Sequence, residues 1–431
     1  MNNILYLPTR YFPAISGAEF YIQRMAEILS SKYDYNVNIF TSNAIDFKAL
    51  RESNGKIISS NEKYFNIVNK LKINRFSINY LSTLEEKLSR VKDLQLIKDT
   101  NLSDETLKKV IENGPFLEEL IKRLENNKKF TYDIIHSTFF PYFNLIISLL
   151  IGKANNIPTV CTPFFHFANP RYLNIEIGKI LSEFDRIISC TNLEKRFLIN
   201  HLKIPSEKIR VISMGVDFHR FKSDDKIIPN QFGFKKKYFK PSERRYKMVL
   251  FCGYKNYEKG AVSILKAIPL INNEIKKAYF VFIGPPTLAF NRELSKIQKL
   301  KYSRVINLTP DNLTGYYDKK KIAAFKETDL FLMPSRSDAF GIAYLEAWAS
   351  GKPVIGANIG AIPEVIRDKV DGLLVQFDDQ LDIAKKVIYL LKHKKLRKRY
   401  GSNGQEKVTK FYSWDKIALK THNLYQELGC E

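Results

Sequence analysis

Short apolar runs alternate with stretches of helical periodicity along most of this chain, the pattern of a doubly wound α/β protein. In the first half, Asn3–Leu7, Val37–Phe40, Tyr132–His136, Pro158–Thr162, Asp185–Cys190 and Lys208–Ile212 read as buried strands. In the second half, Met248–Cys252, Tyr279–Gly284, Val305–Leu308, Leu330–Met333, Pro353–Ala357 and Asp371–Val375 do the same. Helices are predicted between them, with apolar faces such as Phe20, Met25, Ile28 and Leu29, or Ile342, Leu345 and Ala349. Others are expected from Pro141, over Thr191–His201, from Ala261, over Leu313–Phe325 and Leu381–Leu391, and at the end over Phe411–Leu428. Residues 45–130 are less regular: Lys70–Ile78 reads as a strand, and Ser103–Glu125 has helical spacing. Phe218–Arg245 is polar and basic, with Pro229, Gly233, three consecutive lysines and Pro241, and reads as a link between domains. The predicted organisation is therefore a first domain over 1–217, a link over 218–245, a second domain over 246–410 and a terminal helix over 411–431.

Composition adds a constraint on partners. The 431 residues are 45% hydrophobic and 13% aromatic, enough to fill two cores. The formal charge of +24 fits a lysine-rich bias that aids solubility, or peripheral contact with an anionic membrane, or an acidic ligand. No nucleic-acid motif accompanies it, so nucleic acid ranks last among the partners. Cys161, Cys190, Cys252 and Cys430 form no C-x-x-C pair, which points to reduced cysteines, no structural zinc and a cytoplasmic setting. Met1–Thr9 is too short and too uncharged for a signal peptide. The longest apolar run, Phe139–Ile151, is broken by Pro141 and Asn144 and falls short of the ~20 residues a spanning helix needs.

Candidate chemistry concentrates in Asp329–Glu364. A strand, a polar loop and the helix start at Phe340-Gly341-Ile342 make an anion site from free backbone N–H groups and the helix dipole. Asp338 and Glu346 bracket that start. Eight helical steps would set them roughly 12 Å apart, too far for a glycosidase pair acting on one bond. A phosphate-bearing ligand rich in hydroxyls fits better; an ordinary βα unit with a solvated Glu fits the same pattern. The loop Gly253–Gly260, between a strand and a helix, offers Lys255 and Lys259 to a diphosphate. His136 and His166 lie at or just beyond strand ends, where open α/β sheets bind ligands.

The run D-A-F-G-I-A-Y-L-E, followed by A-W-A-S-G-K-P-V-I and G-A-I-P-E-V-I, resembles the donor-site signature of GT4-type retaining glycosyltransferases. D-R-I-I-S-C-T, K-I-R-V-I and G-V-D-x-x-x-F, ending at Phe221, resemble the end of that family's first domain. The resemblance implies the GT-B fold: two Rossmann-like domains facing across a cleft, with the terminal helix returning to the first. It implies transfer of a sugar, with retention, from a UDP- or GDP-linked donor to the hydroxyl of a glycan or lipid-linked acceptor, with no metal and no further cofactor. Asp338, standing where Glu is usual, would contact the donor sugar, Glu346 would hold the ribose, and the backbone of Ala339, Phe340, Gly341 and Ile342 would meet the diphosphate. Lys259 and Gly260 match the family's Lys-Gly; Tyr254 replaces its Arg, leaving Lys255 as the candidate second cation. Gly17 keeps one member of a glycine pair, and His166 is the residue expected to face the transferring sugar, ahead of His136. Asp217 is expected to organise a turn. Asp224, Asp225, Asp378, Asp379 and the basic run Lys392–Arg399 are expected to be solvated. Rival readings are a GT-B epimerase or phosphorylase, a non-catalytic sugar-nucleotide binder, and a nucleic-acid protein.

Overall fold

A computed structural model describes residues 2–94, 97–98, 102–126, 129–167, 169–222, 233–300 and 303–429. Cys430, Asp224, Asp225 and Pro229 lie outside the described residues. The chain divides into two compact units, residues 1–213 with 414–431, and residues 214–413. The segment that reads as a link by composition is thus part of the second unit, where helix Phe234–Tyr238 is tied down by Glu327, which accepts from the backbone N–H groups of Phe234 and Lys235 at 2.7 Å each.

The first unit holds a sheet in the order β3-β4-β2-β1-β5-β6-β7-β8. Its strands are β1 (Asn3–Leu7), β2 (Asn36–Ser42), β3 (Ile67–Val68), β4 (Leu71–Phe76), β5 (Ile134–Thr138), β6 (Thr159–Thr162), β7 (Arg186–Ser189) and β8 (Ile209–Val211). All pairs are parallel except β3 with β4. β5 and β6 are buried throughout, as a parallel sheet covered on both faces requires. The chain winds outward from β1 through β2 to β4, then returns to place β5 on the other side of β1, which makes β1/β5 the switch point.

The second unit repeats the plan with a sheet of β11-β10-β9-β12-β13-β14, parallel throughout. Its strands are β9 (Lys247–Cys252), β10 (Ala278–Ile283), β11 (Val305–Leu308), β12 (Leu330–Met333), β13 (Val354–Ala357) and β14 (Gly372–Val375). Here the direction of winding reverses between β9 and β12. Each sheet therefore opens a crevice at the carboxyl ends of two central strands, and the sequence has its candidate residues just there.

Several helix limits differ from the periodicity. Ser103–Glu125 splits into Asp104–Asn113 and Glu118–Glu125, because Gly114 (φ 65) ends the first helix and Pro115 follows it. The helix expected from Pro141 starts at Asn144, and the one expected over Leu313–Phe325 runs over Lys319–Glu327, capped by Asp318. The basic run Lys392–Arg399 is not simply a solvated face: the buried Arg397 donates to the carbonyls of Leu390 and Leu391 at 2.6 Å and closes the end of the preceding helix.

The terminal helix Trp414–Gln426 packs on the helix Gly17–Lys32 of the first unit, with Trp414 against Phe20 and Tyr21. Tyr425 reaches under the sheet to Nδ1 of His136 at 2.5 Å and to the Tyr6 hydroxyl at 3.0 Å, while Thr162 meets Nε2 of His136 at 2.8 Å. Both His136 nitrogens are engaged inside the core, and burial lowers its pKa to about 3. His136 is a neutral structural residue. No helix among the described residues is long and apolar enough to cross a membrane.

Candidate active site

At the β9/β12 switch point two loops lie against each other. The first, 253–260, follows β9 and ends at Gly260, whose left-handed backbone (φ 74) starts the helix Ala261–Glu274 without a side-chain cap. The second, 334–341, follows β12 and ends at Gly341 (φ 95), which starts the helix Ile342–Ala349, also uncapped. Both positions need glycine: a Cβ on Gly260 would lie 2.4 Å from the Pro334 carbonyl oxygen, and one on Gly341 would lie 2.6 Å from the Tyr344 ring. Two helix starts without side-chain caps thus come to one crevice, each with a positive dipole end.

Lys259 and Asp338 join the loops. The Lys259 ammonium donates to the Ser337 carbonyl at 2.9 Å and forms a short ion pair with Oδ1 of Asp338. Asn256 accepts from the Lys259 backbone N–H at 2.8 Å and fixes its approach. The other Asp338 oxygen, Oδ2, is buried without a hydrogen-bond partner. A buried carboxylate oxygen of this kind can accept from a water or from a ligand hydroxyl. Around the pair, Arg336 grips Glu258 through two bonds of 2.6 and 2.8 Å and lies over the rings of Tyr257 and Phe377. Asp378 is not a solvated loop residue: it accepts from Tyr257 at 2.9 Å and from Ser263, while Asp379 caps the helix Gln380–Lys392.

One of the residues expected from the sequence, Lys255, takes a position that differs from its expected role. Lys255 is fully buried and turned inward; its ammonium bonds Asn307 and the Leu308 carbonyl at the end of β11, and burial lowers its pKa to about 8. It is not a second cation beside Lys259. Tyr254, in the position of the family's Arg, is 48% exposed. Glu346 is 1% exposed and pairs with Lys321 at 2.7 Å, where Tyr316 also bonds it. Burial raises the Glu346 pKa, and Lys321 and Tyr316 oppose that rise. Lys321 lies 3.7 Å above the Tyr316 ring. Neither Lys321 nor Tyr316 stands out in the sequence, since K-K-K-I-A-A-F resembles any solvated helix face. Phe340 directs its ring into the core, 5.5 Å from Tyr412, which leaves its backbone at the helix start with Ala339, Gly341 and Ile342.

Gly17 and His166 belong to the first unit. Gly17 is the first residue of its helix, after the uncapped Ser16. His166 is half-buried in the loop after β6, edge-on to Tyr172 at 5.2 Å. That loop is held from behind by Glu194, which accepts from the backbone N–H of Phe165 at 3.1 Å and of Cys190 at 2.7 Å. Burial raises the Glu194 pKa from 4.5 to about 7, and the two N–H groups oppose the rise. The folded value lies above the unfolded one, so this carboxyl adds most stability below pH 4.5 and loses it as pH rises through about 7. The stability of wild type relative to Glu194→Gln should therefore fall by about 3 kcal/mol across that window, measured by urea unfolding at pH 5 and pH 8; a constant difference would remove the assignment.

Asp217, expected to organise a turn, accepts from the Tyr317 hydroxyl. Among the described residues no group of three or more His, Cys, Asp or Glu side chains converges as a metal site would require. Cys161 and Cys190 are buried free thiols and Cys252 is half-buried.

The chain matches the family Glycosyl transferases group 1 over residues 234–407 and Glycosyltransferase Family 4 over residues 15–220. An uncharacterized glycosyltransferase of Methanocaldococcus jannaschii is 26% identical over 80% of this chain and 93% of its own length. The D-inositol 3-phosphate glycosyltransferase of Streptomyces bingchenggensis is 28% identical over 58% of this chain and 54% of its own. Among solved structures, Anabaena HepE in complex with UDP and glucose superposes with a TM-score of 0.70 at 13% identity, covering 98% of this chain and 99% of HepE. The fold is GT-B, and the chain is a member of the GT4-type group 1 glycosyltransferases.

Proposed function

We propose that this protein is a retaining hexosyltransferase that moves a sugar from a nucleotide diphosphate donor, UDP- or GDP-linked, to an acceptor hydroxyl in glycolipid, polysaccharide or other glycan synthesis. The observation that carries the reading is the unpartnered Oδ2 of Asp338 beside Lys259 and two uncapped helix starts. A sugar hydroxyl would satisfy that oxygen, and the diphosphate would take the N–H groups of the Gly341 turn and the Lys259 ammonium. In the transfer, the bond from the anomeric carbon to the phosphate oxygen breaks with its electron pair going to phosphate. The acceptor oxygen bonds the same carbon from the same face, and its proton passes to the departing phosphate oxygen. Lys259 and the helix dipoles stabilise the charge that develops there, the largest contribution open to such a site. His166 would face the transferring sugar. Glu346, held by Lys321, would present its carboxylate to the ribose. The donor is met from a cytoplasmic setting, and the positive charge supports peripheral contact with an anionic membrane face carrying the acceptor.

HepE is seen with UDP and with UDP-glucose, which supports uridine donors as the first to test. In a thermal-shift panel of nucleotides and sugar nucleotides, a ligand at about 100 times its Kd adds roughly 2.7 kcal/mol. Stabilisation by one diphosphate series, lost in Glu346→Ala, is the expected result. No response to any of them would shift the reading to a non-catalytic protein, and product formed without acceptor would shift it to an epimerase.

A further inference from the structure

The first unit has a crevice of its own at the β1/β5 switch point, and three arginines gather beside it. Arg10 follows β1, Arg51 lies in the loop after β2, and Arg171 lies beyond β6, so three separate loops bring a guanidinium to one region. Arg171 donates to Oδ1 of Asn113 and stands 5.5 Å from the centre of the Tyr142 ring. The Arg51 side chain runs beside Gly114, the residue next to Asn113, and Asn113 in turn donates to the Pro141 carbonyl at 2.9 Å. Arg10, 3% exposed, lies 3.6 Å over the Phe47 ring and donates to the Ile45 carbonyl. Burial raises the Tyr142 pKa, and Arg171, Arg10 and Arg51 all pull it back.

Carboxylates do not balance these cations. Glu19 pairs with Arg10 at 2.6 Å, whereas Arg51 and Arg171 have no ion pair among the described residues. Nε of Arg10 is buried with no hydrogen-bond partner, a second sign that the region is electrostatically incomplete. Through Phe139, 5.3 Å from Tyr142 and 6.5 Å from His166, the arginines lie one ring away from the histidine expected at the sugar.

We infer that Arg51 and Arg171, with Arg10 behind them, form an anion subsite for an acceptor that carries a phosphate group. This deepens the transferase reading and rests on it for the word acceptor; the binding site itself does not. Guanidinium forks suit phosphate oxygens in pairs. A phosphate held there would place a neighbouring hydroxyl of the same molecule near His166.

The test is titration calorimetry of the full chain at physiological salt, with glycerol 3-phosphate and with glycerol. Glycerol 3-phosphate should bind and glycerol should not. Arg51→Ala should weaken binding about tenfold, the loss expected for one charge-assisted hydrogen bond, and Arg51→Lys should restore part of it. Arg51 is exposed, so its removal leaves the fold intact even if Arg171→Ala does not. Lys259→Ala should leave this binding unchanged while losing nucleotide-sugar stabilisation. A parallel arm uses phosphatidic acid vesicles against phosphatidylcholine vesicles: Arg51-dependent capture there alone supports the subsite and makes the phosphate lipid-borne. Binding lost with Lys259→Ala, or no Arg51-dependent binding in either arm, overturns the inference. Arg51-dependent binding in a protein that answers to no sugar nucleotide would retain the subsite and overturn the transferase reading instead.

Discussion

Lys259→Ala is expected to lower sugar transfer by about 10²–10³-fold, the loss typical when one preorganised donor to a developing oxyanion is removed. The size follows from how firmly this ammonium is held. Its backbone is fixed by Asn256, its side chain by the Ser337 carbonyl and by Asp338, and Gly260 presses the same loop against Pro334. Little reorganisation is left for the reaction to bring about. The substitution also strips Asp338 of its cation, so donor affinity and turnover should fall together. Lys259→Arg should recover only part of the rate, because a planar fork cannot reproduce a single ammonium seated between a carbonyl and a carboxylate. Turnover of Lys259→Ala at the wild-type level would remove this residue from the site. A fall caused by misfolding alone would show as an equal loss of thermal stability in the Lys259→Ala/Asp338→Asn double variant, which has no unpaired carboxylate.

Lys321→Met is expected to cost about 3–5 kcal/mol of stability, since it leaves the Glu346 carboxylate buried without its cation. Glu346 and Lys321 are 1% and 6% exposed, so water cannot replace the lost partner. The double variant Lys321→Met/Glu346→Leu should regain most of the loss, because removing both charges removes the desolvation penalty with them. Urea unfolding followed by a probe in the second unit, such as Trp348 fluorescence, separates the cases. A single variant as stable as wild type would mean that the carboxyl takes up a proton instead. The double variant should nevertheless fail to bind donor, so stability and ligand response diverge in a way no general packing defect produces.

The parallel strands were legible because each is a short apolar run bounded by turn residues, and their alternation with helices left few topologies open. The loops 253–260 and 334–341 were legible for a different reason: Gly341, Gly260 and Lys259 sit at fixed offsets from strand ends, so local sequence describes their surroundings. What was not legible depends on partners distant in the chain. Lys321 meets Glu346 across a strand, and Asn307 draws Lys255 inward from the end of β11. Asp378 looks like a surface aspartate until Tyr257 and Ser263 are found beside it. Arg10, Arg51 and Arg171 are ordinary loop arginines in the sequence and become a group only when the carboxyl ends of β1, β2 and β6 are aligned.

The terminal helix has a consequence for synthesis on the ribosome. Tyr6, on the first strand, and His136 wait for Tyr425 to complete their buried network. Residues 214–413 must be made in between, which takes ~10–40 s at about 5–20 residues per second. During that interval the nascent first unit shows an uncovered apolar face where Trp414 will sit against Phe20 and Tyr21, while the second unit can already fold from contiguous sequence. The half made first is thus the half finished last, and a chaperone that holds nascent chains would find its target on the helix Gly17–Lys32.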